Sequence, residues 1–514
     1  MTAAADSSVE RVRENAQAPR WRWRLAGLVA GLAGLAASYA VSLMLTVRQS
    51  PVVAVDELLI AITPGVVVRW ALDTVGPADK PLLVGATIAI LVVVFCLLGD
   101  QARDGLWRAD TGYLILAAIG LIAVLTRPGA SRWDLVPLAV GLLGWVVGLR
   151  WVTSPLQAAS APATPGPSRR TLLLAVGAAV VAAGGRWAGR GRRRVEKVRR
   201  LVHLGGVTSP EVDAAYVTAA EGLAPWQTPV RDFYVIHTAI AVPTIDPFEW
   251  RLRIHGMVER ELTLTYDDLA RRELTEQWMT LNCVSNQVGG GLIGNAWWSG
   301  VRLTGLLAEA GAHTDADAVL QTSQDGWTCG TPLAALQDQR GAMLAMAMNG
   351  EALTLEHGFP VRTIVPGLFG YVSACKWVVD LEVTRFEDFT AFWTANGWSE
   401  RGPVKLASRI DVPRSGDSVS AGAVTFAGVA WNQGVGVSGV QIAVDGGAWQ
   451  DARLAEVPSV NTWVQWLAVT QVAPGDHVVK VRARGADGQW QTSVRRDVLP
   501  DGATGWHQVE FSAE

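Results

Sequence analysis

The chain has 514 residues, of which 50% are hydrophobic and only 18% charged, and its formal net charge is −3. That length allows several domains, and a positive mean hydropathy implies that part of the chain lies in lipid. A nearly neutral chain with one short basic tract offers no footing for nucleic acid, and four cysteines are too few for a disulfide scaffold.

Almost every long apolar run falls within residues 1–200. A tail, residues 1–24, carries Arg11, Arg13, Arg20, Arg22 and Arg24 and is expected in the cytoplasm. Runs at 25–45, 81–98, 111–126 and 134–149 have about bilayer-spanning length, and a fifth at 171–185 is shorter and rich in Ala and Gly. Residues 51–70 are apolar but contain Asp56, Glu57, Arg69 and a Thr-Pro-Gly breaker at 63–65, which predicts an interfacial or re-entrant segment. Five spans from a cytoplasmic tail deliver residues 201–514 to the far side of the cytoplasmic membrane. The basic tract 186–200 favours the opposite placement, on the cytoplasmic face. Residues 168–174, SRRTLLL, read equally as a twin-arginine export signal and as an ordinary positive-inside flank. A Pro, Ala, Ser and Gly linker at 155–168 precedes them. All seven histidines lie at 203 or beyond, so the spans cannot hold a haem through paired axial His, and an anchor or subunit-docking role is expected for them.

From Phe248 the pattern alternates, with Phe248, Trp250, Leu252 and Ile254 on one face, and predicts a strand ending at Gly256. Residues 262–273 read as a strand end and a short helix, and 280–283 as a strand running into a glycine loop, giving a mixed α+β domain. Beyond about 430, short alternating strands at 440–444 and 479–484 with turns at Asp445-Gly446-Gly447 and Asp487-Gly488 predict a β-sandwich. Residues 434–439, GVGVSG, form a GxGxxG, but alternating strand follows where a pyrophosphate would need a helix N-terminus.

Cys283 stands out. A lone Cys is usually a small buried hydrophobe. Here it sits in Asn282-Cys283-Val284-Ser285-Asn286 ahead of three glycines, Gly289 to Gly291, a loop able to bring backbone amides close to a thiolate bound to a soft metal. The loop alone does not name the metal.

Residues 230–512 resemble the sulfite oxidase family of molybdopterin enzymes. The resemblance rests on Phe233-Tyr234-Val235, the Cys283 loop, Gly294-Asn295-Ala296, Trp298-Ser299-Gly300-Val301, Met348-Asn349-Gly350, His357-Gly358-Phe359-Pro360-Val361-Arg362, Val365-Pro366-Gly367 and Lys376-Trp377. It extends through Ala430-Trp431 and Asp445-Gly446-Gly447 into the family's dimerisation domain, implying a homodimer contact there. It implies an α+β molybdopterin-binding domain over 230–395 and an immunoglobulin-like β-sandwich over 396–514. A basic juxtamembrane connector, 186–229, and an all-α transmembrane region, 25–185, precede them.

The implied cofactor is molybdenum on a single pterin, with Cys283 as the protein's metal ligand and catalytic residue and no haem expected. Arg362 and His357 match positions that hold the pterin and its phosphate, Lys376 a third contact, and Tyr234, His237 and Thr322 further ones. The implied reaction is two-electron oxygen-atom transfer on a small substrate, with an unnamed electron partner and membrane lipid as the other contacts. Cys329 and Cys375 match no family role; they are expected as free thiols, although a bridge between them is conceivable.

The departures concern charge. Where sulfite oxidases place cations and a Tyr around the metal, this chain has Ile236, Gln287, Val288 and Met346. An anionic substrate would lose several charge-assisted contacts, each worth roughly 1.5–3 kcal/mol, so a substrate that is not a dianion is expected. The alternatives are a true sulfite oxidase, or a non-catalytic binding or assembly protein on the same fold.

Overall fold

A computed structural model of the chain describes residues 18–44, 51–63, 79–126, 132–157, 192–202 and 204–514. The predicted fifth span, the SRRTLLL motif and most of the linker before it lie outside these residues, as do residues 64–70. The chain divides into two units, one of residues 1–194 with 238–242, the other of residues 195–237 with 243–514.

In the first unit the apolar runs fold into helices α1 (Arg20–Met44), α3 (Asp79–Asp104), α4 (Leu106–Leu125) and α5 (Leu135–Gln157), with α2 (Pro51–Ile62) between the first two. Leu, Ala, Val and Ile dominate all of them. Four helices are long and apolar enough to cross a membrane, over Arg20–Ser42, Leu82–Asp104, Leu106–Leu125 and Leu135–Ser154. They match the first four predicted runs, with ends shifted by several residues. At 12 residues, the described helix α2 rises ~18 Å, and the rest of the segment predicted as re-entrant, 64–70, lies outside the described residues.

The burial pattern of this unit is inverted relative to a water-soluble bundle. Ile90 and Leu143 are each 63% exposed, while Phe95, Tyr113 and Trp145 are buried. The Trp145 ring stacks on Tyr113 at 5.6 Å and meets Phe95 at 5.7 Å, and its Nε1 donates to Gly31 O at 2.9 Å. In lipid, association depends on close backbone approach through small residues. A Cβ on Gly27 would collide with the backbone of Phe95 and lie 2.6 Å from the Gly99 nitrogen. Gly27→Val is therefore expected to separate α1 from α3, at a cost at the upper end of the ~1–3 kcal/mol of core overpacking. Thermal aggregation of detergent-solubilised protein checks this, with Gly85→Val as control, because no atom lies within 4 Å of a Cβ there.

Ion pairs Arg24–Asp100 (3.3 Å) and Arg150–Asp110 (2.6 Å) join the start of α1 to the end of α3 and the start of α4 to the end of α5. Those four helix ends thus form pairs, as antiparallel up-and-down packing requires.

The second unit is α+β, as predicted. One sheet has the order β2-β1-β10-β5-β6, built from β1 (Arg251–Gly256), β2 (Leu262–Thr265), β5 (Ala318–Ser323), β6 (Thr328–Pro332) and β10 (Val378–Thr384). Only β1 and β10 run parallel in it. A second, antiparallel sheet holds β3 (Thr275–Asn282), β4 (Ile293–Arg302), β7 (Met343–Met348) and β8 (Glu351–Ala352), with β9 (Arg362–Ile364) also on β7. In β1 the alternation puts Leu252 and Ile254 into the core and Arg251 and Arg253 outside.

The strand starts later than its pattern predicts. Phe248 is 63% exposed, in a turn where the Asp246 carboxylate accepts its N–H at 3.1 Å and Asp246 O accepts the Trp250 N–H at 3.0 Å. That local bonding competes with strand pairing.

Two further sheets occupy the C-terminal part. The first has the order β11-β13-β17-β16, from β11 (Ala407–Val412), β13 (Gly422–Trp431), β16 (Arg453–Leu454) and β17 (Val464–Val472). The second has the order β12-β19-β18-β14-β15, from β12 (Ser418–Val419), β14 (Val437–Val444), β15 (Gln450–Asp451), β18 (Gly475–Gly485) and β19 (His507–Ala513). Phe426 and Trp466 of one sheet share a core with Val479, Val481 and Phe511 of the other. The GVGVSG segment is a turn, with Gly434 and Gly436 at positive φ, running into β14 at Val437. No helix follows it, in line with rejection of a nucleotide site.

Candidate functional site

The site is built where β3 ends. Its pairing with β4 runs from Thr275↔Gly300 to Asn282↔Ile293, so the chain leaves the sheet at Cys283. The loop is closed at its neck: Cys283 N donates to Leu292 O at 3.0 Å, and Leu292 N donates to the Asn286 carboxamide oxygen at 2.9 Å. Asn286 N donates to Cys283 O at 3.1 Å, which makes a tight turn over the cysteine. Gly289 takes φ of 81°, and a Cβ there would collide with the His507 ring, so this position needs glycine twice over.

Cys283 is buried, and burial raises its thiol pKa; hydrogen bonds from the Ser285 backbone and hydroxyl and the charge of Lys376 oppose that rise. Burial also pushes the Tyr234 phenol up, the Cys283 thiolate adds to the effect, and Arg362 acts against it. The Tyr234 ring stacks on Phe233 at 5.3 Å, and Phe233 meets the His357 ring edge-on at 5.7 Å.

The segment 357–362 supplies the cationic side. His357 Nε2 lies 3.1 Å from Val230 O, while its Nδ1 is buried without a partner among the described residues. Arg362, on β9, donates through Nη1 to His357 O at 3.2 Å and lies over the Trp298 ring at 5.4 Å; its Nε has no such partner. Arg362 is only 3% exposed, and burial lowers its pKa to about 10. Lys376 donates through Nζ to Glu356 O at 2.8 Å and sits over Trp377. Gly358, at φ 106°, lets the three come together: a Cβ there would lie 3.1 Å from both the Arg362 and the Lys376 Cβ.

Burial lowers the His357 pKa to about 4, helped by Lys376 and Arg362, so the ring is neutral at pH 7. The unfolded chain binds this proton from about pH 6.5 downward and the folded one only near 4, so stability is full above 6.5 and is lost as pH falls through that window. A gap from 6.5 to about 4 corresponds to about 3 kcal/mol. The melting temperature of cofactor-free wild type is expected to fall between pH 6.5 and 4 more steeply than that of His357→Asn; parallel curves would contradict this.

Five of the seven predicted residues thus converge: Cys283, Tyr234, His357, Arg362 and Lys376. His237 packs edge-on against Trp377, next to Lys376, at 5.5 Å. Thr322, half-buried on β5 opposite Asp380 and Thr328, is not drawn into the cluster by the contacts that join the others. Cys329 and Cys375 are fully buried free thiols, hydrogen-bonded to each other, and this contact adds to the burial that raises the Cys375 pKa. Of the residues at the charge departures, Ile236 and Gln287 are exposed, Val288 is half-buried and Met346 is fully buried.

Sequence reasoning missed Ser285, Trp298 beneath Arg362, and Gln433. Ser285 lies two residues past the thiol and was within reach of the loop reading. Gln433 is 151 residues from Asn282, the β3 residue it touches just before the loop, and carried no local signal.

Residues 239–393 match the family described as the oxidoreductase molybdopterin binding domain. The chain is 33% identical over 178 residues to the uncharacterized oxidoreductase YuiH of Bacillus subtilis, a match covering 35% of this chain and 86% of that protein. It is 31% identical over 294 residues to the mitochondrial sulfite oxidase of Macaca fascicularis, covering 48% of this chain and 54% of that one. It therefore spans only about half the length of that sulfite oxidase. The solved sulfane dehydrogenase SoxCD of Paracoccus pantotrophus is similar with a TM-score of 0.49 and 23% identity, over 62% of this chain and 92% of that one.

The domain match and the oxidoreductase relatives define a molybdopterin-dependent oxidoreductase. Within that class, the chain belongs to the sulfite oxidase family.

Proposed function

We propose that the protein is a membrane-anchored oxidoreductase that moves an oxygen atom, with two electrons, to or from a small substrate that is not a dianion. When bound, the molybdenum cofactor supplies the two-electron couple. In this reading Cys283 is the metal ligand. Arg362, His357 and Lys376 hold the pterin phosphate, and Tyr234 and His237 line the wall beside them; Thr322 keeps its cofactor role only as an implication of the family resemblance. The observation that carries it is the pair of orphaned buried groups, His357 Nδ1 and Arg362 Nε, beside the glycine cradle of Gly358. A buried guanidinium with no carboxylate is costly alone and is well matched to an anionic phosphate.

Tyr234 is close enough to the thiol for the Cys283 charge to raise its pKa, and the Ser285 backbone and hydroxyl hydrogen-bond to the sulfur. The substrate reading rests on uncharged Ile236, Gln287, Val288 and Met346. A sulfoxide or N-oxide is the example we favour. The catalytic unit is assigned to the outer side of the cytoplasmic membrane on the strength of the fifth apolar run, 171–185. The arginines near the start of α1, the start of α4 and the end of α5 favour those ends in the cytoplasm, so a further span is needed to carry the chain out, and the twin-arginine motif is consistent with export. The C-terminal sheets are read as an immunoglobulin-like sandwich able to form a homodimer.

The test is turnover by purified, cofactor-loaded full chain, with a reduced viologen dye and a dialkyl sulfoxide or amine N-oxide, against sulfite oxidation with ferricyanide. Neutral substrates are expected to show kcat/KM at least ~10-fold above sulfite, the loss of even one charge-assisted contact being worth that factor. The reverse order would overturn the substrate assignment.

A further inference from the structure

We infer that Gln433, in the turn between β13 and β14 of the C-terminal sheets, is a positioning residue for the Cys283 thiol, so that the C-terminal part forms part of the metal-ligand site. The inference rests on the reading of Cys283 as that ligand.

Gln433 is buried and uses both ends of its amide on the strand that leads to Cys283. Its Oε1 accepts from Asn282 Nδ2 at 3.2 Å, and its Nε2 donates to Thr280 O and, at 3.1 Å, to Asn461 O. One side chain thus grips β3 at Asn282, immediately before the cysteine, and at Thr280. The grip is doubled, because Thr280 N donates to Asn461 O at 3.0 Å and Trp463 N donates to Thr280 Oγ1 at 2.8 Å.

Beyond the cysteine, Arg409 Nη1 donates to Gly290 O at 3.0 Å and the His507 ring fills the space over Gly289. The cysteine loop is therefore held on both flanks by residues at least 119 positions away in sequence. A loop with three glycines has large conformational entropy to lose, and outside contacts are the economical way to fix its one thiol. Second-layer contacts of this kind orient metal ligands, and their loss typically costs ~10–100-fold in affinity or activity.

Gln465 supplies the control. It is a buried glutamine on β17 whose amide also bridges two segments, accepting from Thr218 N at 2.7 Å and donating to Ala224 O at 2.7 Å. Its bonds go to the connector before the oxidoreductase domain, away from the loop.

The experiment measures iodoacetamide alkylation of Cys283 in cofactor-free full-length protein by peptide mass spectrometry, for wild type, Gln433→Met, Asn282→Ala, their double variant and Gln465→Met. Gln433→Met and Asn282→Ala are each expected to speed alkylation about tenfold, the double variant no more than either alone, and Gln465→Met to leave it unchanged. In cofactor-loaded protein, Gln433→Met is expected to lower kcat with KM unchanged. Equal acceleration by Gln465→Met, or none by Gln433→Met and Asn282→Ala, would overturn the inference. Failure of the metal assignment would appear separately, as wild type without molybdenum, and would leave the alkylation result standing as a statement about the loop.

Discussion

Cys283→Ala is expected to lower oxidoreductase turnover by more than ~100-fold while leaving the protein folded. Loss of a contact behind a metal ligand already costs ~10–100-fold, and loss of the ligand itself must exceed that. Folding should survive because the thiol is small and its loop is held by other groups: the backbone bonds at Cys283 and Leu292, the Asn286 carboxamide, and Gln433. Removal of one sulfur leaves a void smaller than those of Leu-to-Ala changes, which cost ~2.7–5 kcal/mol. Turnover assays paired with melting curves check the prediction. A variant with wild-type turnover would remove Cys283 from the chemistry, and one that fails to fold would show the loop to be structural.

Arg362→Met carries the second large effect, and its sign depends on the cofactor. In cofactor-free protein the guanidinium is nearly fully buried, has no carboxylate partner among the described residues, and its pKa is depressed to about 10 by burial. Replacement of such a charge by an apolar side chain of similar length is expected to leave the melting temperature unchanged or higher. In loaded protein the same substitution removes charge-assisted bonds to the pterin phosphate, each worth roughly 1.5–3 kcal/mol, so cofactor retention should fall by about 10-fold or more. Melting curves with and without cofactor, and pterin content after gel filtration, would reveal this crossing. Destabilisation of both forms would mean that Arg362 is chiefly a packing residue against Trp298.

The ease of reading these features from sequence varied with the distance over which the physics acts. The four long apolar helices were legible because length and composition alone mark them, and α2 was distinguishable from them because Asp56 and the 63–65 breaker interrupt its apolar run. The Cys283 loop was legible from residue types, since Asn, Ser and Gly announce a turn held by side-chain bonds. Phe248 misled because its place in the alternation was correct while Asp246, two residues earlier, claims its N–H for a turn. The orphaned Nδ1 of His357 and Nε of Arg362 depend on which atoms lack neighbours after folding, and no local pattern encodes that. The clamp by Gln433 joins positions 151 and 153 residues apart and is visible only in the folded chain.

The most direct measurement of the central claim is molybdenum X-ray absorption on purified full-length protein from a host that synthesises the cofactor, comparing wild type with Cys283→Ser. Wild type should contain about one molybdenum per chain, with a thiolate sulfur in addition to the pterin sulfurs, and the variant should lose one sulfur neighbour or the metal altogether. Wild type without molybdenum, or a variant whose metal keeps the same sulfur neighbours, would contradict the assignment of Cys283.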